Sequence, residues 1–189
     1  GLQTRVRFKQ RNGQIKNAVE IGLRLHGDAV YRLHTEDPHL MVAGTLTPTE
    51  AETLTQLDGH ADAFAIAAHV HDDLDIGRLR FLPGVRMESV RTRYWTADEN
   101  PSPAIHRTNF MPGMGVTANL SDWFDVFAGV HRGFTPVAPS QTKEVKPEAS
   151  WNYEMGLRLH PGVRIDLVGF INDYQNLTGQ CTLSSGCNN

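Results

Sequence analysis

His69 and His71 stand two residues apart, with Asp72 and Asp73 directly after them, and this is the first place where the chain could do chemistry. In an extended strand, residues at i and i+2 share a face, so two imidazoles there could hold a transition-metal ion beside a carboxylate. The same segment runs into a tight-turn signal at Asp75-Ile76-Gly77, which favours reading these residues as solvated and near a turn, with no metal. Cys181 and Cys187 lie close together near the C-terminal end. A local disulfide closing a small exposed loop suits an oxidising compartment, and two free thiols are the alternative. Without a histidine pair beside them they make a poor zinc site. Glu154 has no second carboxylate or nucleophile placed beside it by sequence, so a catalytic acid is not expected there, nor an enzyme or a cofactor.

The elements that carry these residues are strands. Period-two alternation dominates and helical periodicity is nearly absent. Gln3, Arg5, Arg7 and Lys9 interleave with Thr4, Val6 and Phe8, and Asn12-Gly13 then signals a hairpin turn. Val19, Ile21, Leu23 and Leu25 follow, set against Glu20, Gly22, Arg24 and His26. Phe64, Ile66, Ala68 and Val70 alternate with a set read as Asp62, Ala65, Ala67, His69 and His71. Leu79, Phe81, Pro83, Val85 and Met87 oppose Arg78, Arg80, Arg86 and Glu88. Phe110 to Val116, Phe124 to Val130, Trp151 to Leu159 and the segment from Val163 continue the pattern. Pro83 and Pro112 fall inside strands, each before a glycine, and predict a bulge or an irregular ladder.

Connection lengths alternate. The links at Asn12-Gly13, Asp75–Gly77, Ser121-Asp122 and Pro161-Gly162 are tight, whereas Thr45–Gly59, Asp98–His106 and Pro136–Glu148 are long and rich in Pro, Thr, Ser and charge. Short turns at one end and long loops at the other are the habit of outer-membrane barrels. The expected fold is therefore all-β, an antiparallel meander of about eight long strands. A secreted β-sandwich binding module would also alternate, and a small self-closed outer-membrane barrel with a pore or structural role would share the same strands. In a fragment of a larger barrel, Thr4–Lys9 and Arg164–Tyr174 would be unpaired edges; in the small barrel they would meet.

Composition bounds the rest. Hydrophobic residues make up 40% and charged residues 21%, with a net charge of −3, which suits an ordered chain. No basic block stands out, so no nucleic-acid partner is expected. No apolar run reaches the ~18–20 residues of a membrane-spanning helix. The mean hydropathy of −0.36 says nothing against a barrel, whose strands need apolar residues only at alternate positions. Gly1 opens without a signal sequence, and the ending CTLSSGCNN reads as the middle of a loop, so a mature chain or a fragment is expected.

Three stretches carry a specific likeness. HRGFTPVAPS (His131–Ser140) resembles the RGF-x-P segment of TonB-dependent receptor barrels. VKPEASWNYEMGLRL (Val145–Leu159) resembles their KPE-x-S-x-NYE-x-G-x-R stretch, and GFINDYQNL (Gly169–Leu177) the F-x-x-DY-x-N strand that comes after it. RLRFLPGVRME (Arg78–Glu88) and NFMPGMGVTANLSDWFDVFAGV (Asn109–Val130) fit the same family, and the NDYQNLTGQCTLSSGC ending is similar to ferric-citrate-type receptors.

The resemblance implies a 22-stranded transmembrane β-barrel, of which residues 1–189 would be a part lacking the plug and the TonB box. It implies a receptor in the outer membrane of a Gram-negative cell, importing a scarce ligand, usually a ferric siderophore, with energy delivered through TonB. Outer-membrane lipid and lipopolysaccharide would meet the apolar face, with Trp95, Trp123 and Trp151 as interfacial girdles. Glu20, Arg24, Arg86, Glu88, Glu154 and Arg158 would line the lumen and face the plug, with Glu154 the first candidate for a plug contact. Ligand contacts would fall on Arg91, Arg93, Tyr94, Arg107, Arg132 and Gln141, since arginine forks bind carboxylates bidentately. These arginines could equally meet lipopolysaccharide or neighbouring loops, and parity turns Arg91 and Arg93 to the same side as Leu79 and Val85 unless a bulge intervenes.

Overall fold

The computed structural model describes residues 1–139 and 144–177, and every described regular element is a strand. Eight strands form one antiparallel sheet: β1 (Leu2–Asn12), β2 (Ile15–Glu36), β5 (Leu54–Ile76), β6 (Leu79–Thr96), β7 (Ile105–Ser121), β8 (Phe124–Thr135), β9 (Glu148–Leu159) and β10 (Ile165–Gln175). Each pairs with its neighbour in that order. β3 (His39–Val42) and β4 (Thr45–Pro48) make a separate hairpin in the connection between β2 and β5.

The tight links are where sequence places them. Between β1 and β2, and between β5 and β6, two-residue turns open with Gly13 and Gly77 at φ of 59° and 61°. A side chain at that φ would be strained, so glycine suits the first position of each turn. The long link expected over Thr45–Gly59 lies earlier than read: the connection runs over residues 37–53 and holds β3 and β4, and β5 already begins at Leu54. β2 and β5 run on together for 22 and 23 residues, well past the apolar segments that mark them in sequence.

The prolines disturb the ladder without shifting it. Pairing between β5 and β6 lapses opposite Leu82 and Pro83 and resumes in the same register, from His71↔Gly84 to Leu74↔Phe81. The β7–β8 ladder ends at Gly113↔His131, directly before Pro112. A proline has no N–H to give a partner, so an irregular ladder, not a bulge, is the outcome. Parity is therefore continuous across β6, and the Arg91 and Arg93 side chains share the face of Leu79 and Val85.

The sheet is a single layer. Among the described residues only Ala67, 3% exposed, counts as a buried apolar residue, while Met155, Leu167 and Phe170 are 67%, 65% and 73% exposed. Among the described residues no second sheet covers either face, which removes the β-sandwich: it requires two sheets sharing a dry centre. β1 and β10 occupy opposite ends of the strand order and do not pair, so the described strands do not close a small barrel.

One face is an apolar band with polar bounds. On β5 it carries Phe64, Ile66, Ala68 and Val70, and cross-strand partners Leu25, Leu23 and Ile21 on β2 and Ser89, Met87 and Val85 on β6 share that face. Asp62, bonded to Arg93, bounds it at one end. Asp72, accepting from Asn17 Nδ2 at 2.8 Å, bounds it toward the other, before Leu74 and Ile76 close the hairpin. From Asp62 to Asp72 a strand tilted by about 40° climbs roughly 25 Å, the height of the apolar belt of an outer-membrane barrel. Trp95 and Trp151 lie toward the long-loop end and Trp123 in the β7–β8 turn, so the tryptophans flank the band on both sides.

Candidate functional site

The opposite face is polar, and cross-strand register decides what meets what there. Glu20 lies opposite His71, Arg24 opposite Ala67, Arg86 opposite His69 and Glu88 opposite Ala67. Glu154 lies opposite Gly129 and Arg158 opposite Asp125. All six residues expected on the lumen side thus share one face. Arg24 and Glu88 flank Ala67, a buried residue of this face, from both sides.

Four of the six charges are matched on the wall itself. Arg86 Nη2 donates to Glu88 Oε2 at 2.6 Å, and Glu20 Oε1 lies 3.4 Å from His69 Nε2 and 4.0 Å from Arg5 Nη1. Arg158 Nε donates to Asp166 at 2.8 Å, with its guanidinium 5.6 Å from the centre of the Phe127 ring. That ring occupies the space a side chain at Gly156 would need. Arg24 and Glu154 have no ion-pair partner among the described residues; Glu154 lies exposed over Gly129.

The histidine pair is not a solvated turn, contrary to the sequence expectation. His69 and His71 are half-buried in the body of β5, on the polar face. One ligand atom each from Glu20, His69 and His71 lies within 4.8 Å of the others, and the two rings stack at 6.0 Å and 12°. His69 lies over Gly22, where a Cβ would come 2.7 Å from Nε2 and 2.8 Å from Nδ1; a Cβ at Gly84 would come 3.0 Å from that of His71. The bare Cα of Gly22 is what lets the His69 ring lie against the wall. Farther along, His69, His71, His131 and Glu154 border a shallow groove of about 380 Å³ floored by Gly84, Gly113, Gly115 and Gly129.

Toward the long loops, the ligand candidates divide between the faces. Arg91, Arg93 and Arg132 share the apolar band's side of the sheet, whereas Tyr94 and Arg107 stand on the polar side. Gln141 lies outside the described residues, as do Cys181 and Cys187. Arg107 borders a small cleft with Val90, Thr92, Asn109 and Phe134. Arg93 forms a bidentate pair with Asp62, Nε to Oδ1 at 2.9 Å and Nη2 to Oδ2 at 3.0 Å. These hydrogen bonds hold the Asp62 carboxyl below the usual carboxylate range, just beyond the apolar band. Grouping Asp62 with Ala65 and His69 is thereby corrected: it shares the parity of Phe64 and bonds on that side. Sequence reasoning also missed the aromatic row beside it, Tyr31, His60 and Trp95, with ring centres 4.7 and 5.4 Å apart across three strands. Equal spacing from each turn would have found it.

Near the tight turns, Arg80 clamps Asp73 with two hydrogen bonds of 2.7 and 2.6 Å, and Arg7 reaches the same carboxylate at 3.4 Å. The Arg80 bonds, above all, hold the Asp73 carboxyl below its ordinary range. The face is therefore polar from end to end, with matched charge at the turn end and unmatched charge at mid-height.

Comparisons with known proteins agree with this geometry. The family model described as TonB dependent receptor-like, beta-barrel, matches residues 2–189. The chain is similar to the ferric citrate transporter FecA in its unliganded form, at 20% identity and a TM-score of 0.79, over 95% of this chain and 28% of that one. It is similar to the ferric-catecholate import receptor Fiu of E. coli K12, at 15% identity and a TM-score of 0.68, over 92% of this chain and 31% of that one. It is also similar to the ferric yersiniabactin uptake receptor FyuA of Yersinia pestis, at 16% identity and a TM-score of 0.59, over 93% of this chain and 28% of that one. The chain thus spans less than a third of the length of each of these receptors.

Proposed function

Because this chain belongs to the TonB-dependent receptor β-barrel family, we propose that it forms part of the wall of an outer-membrane importer of a ferric siderophore-like ligand. The observation that carries the reading is the pair of faces on one uncovered sheet: an apolar belt of membrane height on one side and a charged wall on the other. Hydrocarbon is the solvent that makes such an exposed belt favourable, because each large apolar side chain is worth roughly 1.5–3 kcal/mol when taken out of water. A lumen filled by protein is what suits the charged side. Closure into the 22-stranded barrel would satisfy the free backbone edges of β1 and β10, which lipid cannot.

On this reading the wall contributes plug contacts through Arg24 and Glu154, the charges not already matched on the sheet. Tyr94 and Arg107, on the lumen side near the long loops, are the ligand-facing candidates that remain. Arg93, on the outer side where Asp62 ends the belt, is the candidate for lipopolysaccharide phosphate, whereas Arg91, opposite Phe64, and Arg132, opposite Trp151, share that outer side. TonB, pulling on a box outside this segment, supplies the energy.

The test is uptake. In a Gram-negative strain lacking the receptor, the intact receptor is returned and iron-limited growth is followed on ferric citrate and on ferric catecholates. Restored growth with one chelate, dependent on TonB, supports the reading, whereas TonB-independent growth or restoration by none of them defeats it. Receptor carrying Arg24→Ala with Glu154→Ala should admit large antibiotics that the wild type excludes, because the plug loses two anchors.

A further inference from the structure

We propose that Glu20, His69 and His71 form a binding site for a divalent transition-metal ion of the zinc class on the lumen wall. The inference goes beyond the import reading and does not depend on which chelate is imported.

The donor set selects the ion. Two imidazoles and one carboxylate suit zinc, copper or nickel, whereas calcium and magnesium require a shell of oxygens. Geometry supports it. In tetrahedral zinc with bonds of about 2.0–2.1 Å, neighbouring ligand atoms are about 3.3 Å apart. His69 Nε2 and Glu20 Oε1 already stand at 3.4 Å, and the third donor lies within 4.8 Å of both. His71 is directly opposite Glu20 on the adjacent strand, so its imidazole and the carboxylate rise from the same rung.

An ordinary His69–Glu20 polar pair would account for one imidazole but not for the second stacked beside it. The site is also cleared for its occupant: the bare Cα of Gly22 leaves the space that the His69 ring fills. Nearby cations do not close it. Arg86, on the rung of His69, is matched by Glu88, and Arg5 reaches Glu20 only at 4.0 Å from a side chain 62% exposed, free to turn away. Three protein ligands leave one coordination position open toward the lumen, for water or for a donor from whatever fills the barrel.

The experiment uses the intact, tag-free receptor in detergent. Zinc chloride is titrated against a chromophoric chelator, and cobalt chloride is added to read the visible absorption of a tetrahedral site. One equivalent of zinc should bind with a Kd below about 10 µM. His69→Ala and His71→Ala should each weaken it by at least about 10–100-fold, the loss seen when even an outer partner is removed. Glu20→Gln, which preserves shape, should weaken zinc and change the cobalt spectrum, and it keeps the test decisive if a histidine variant does not assemble. His131→Ala, on the same face three strands away, should bind as the wild type does. Wild-type affinity weaker than about 100 µM, or full stoichiometry retained in His69→Ala and Glu20→Gln, overturns the proposal.

Discussion

Replacing Ala68 by arginine tests the assignment of faces with a number attached. Ala68 lies on the apolar face of β5, between Asp62 and Asp72. A strand rising about 3.3 Å per residue at a tilt of about 40° climbs roughly 2.5 Å per residue along the barrel axis. Ala68 is therefore about 15 Å from the level of Asp62 and about 10 Å from that of Asp72, within ~3 Å of the middle. An arginine near the bilayer midplane costs about 2–4 kcal/mol, against about 0–1 near the interfaces. Ala65 is the internal control: it stands on the polar face opposite His26 and Val90, about 7 Å nearer the level of Asp62 and still between the two aspartates. Ala65→Arg should cost less than about 1 kcal/mol, because its side chain enters a polar lumen. The assay is the urea-dependent folding equilibrium of the intact receptor in lipid bilayers, read by the shift in gel mobility between folded and unfolded barrel. A gap of 2 kcal/mol corresponds to about a 30-fold difference in the folded-to-unfolded ratio. Equal costs at the two positions, or a larger cost at Ala65, would refute the assignment of this face to lipid.

Two further outcomes follow from the same geometry. Gly156→Ala places a Cβ 2.6 Å from Phe127 Cζ and closer still to the Leu167 carbonyl oxygen, so β9 must shift against β10; overpacking of this kind costs about 1–3 kcal/mol, which a lowered thermal midpoint will record, and removing the ring in Phe127→Ala should recover part of it. For Asp62, Arg93 depresses the folded carboxyl, so the stabilisation is in force above its ordinary value of about 4 and fades as pH falls through the depressed value. The thermal midpoint of the wild type should therefore exceed that of Asp62→Asn at neutral pH, with the gap closing only below about pH 4; a gap constant down to pH 3 would show that the pair contributes nothing that titrates.

Much of this protein can be read from alternation alone. Side chains on a strand point to opposite faces with a period of two, so Val19, Ile21, Leu23 and Leu25 separate from Glu20, Arg24 and His26 with no knowledge of neighbours. Glycine and short polar links mark the turns, because few residues tolerate positive φ, and the RGF, KPE and NYE segments carry the family likeness. The parity of Arg91 and Arg93 was legible as well, and it held because the prolines interrupt hydrogen bonds without adding a residue. The extent of β2 and β5 beyond the apolar belt was not: there the strand persists by pairing with its neighbour, and the sequence of Gly27–Glu36 and Leu54–Asp62 carries little apolar rhythm.

Only tertiary structure could decide which strands lie side by side and at what offset. Glu20 meets His71 and His69 across 51 and 49 residues of sequence, and Asp62 meets Arg93 across 31, because a ladder register is a property of two strands together. A register displaced by two residues so that Glu20 stood opposite Asp73 would preserve every face and every apolar stripe, yet it would part His69 from the carboxylate. That the described residues form one layer, with no core of their own, is likewise a fact of assembly: alternation records that one face avoids water, and only the fold shows whether a second layer of this chain covers it.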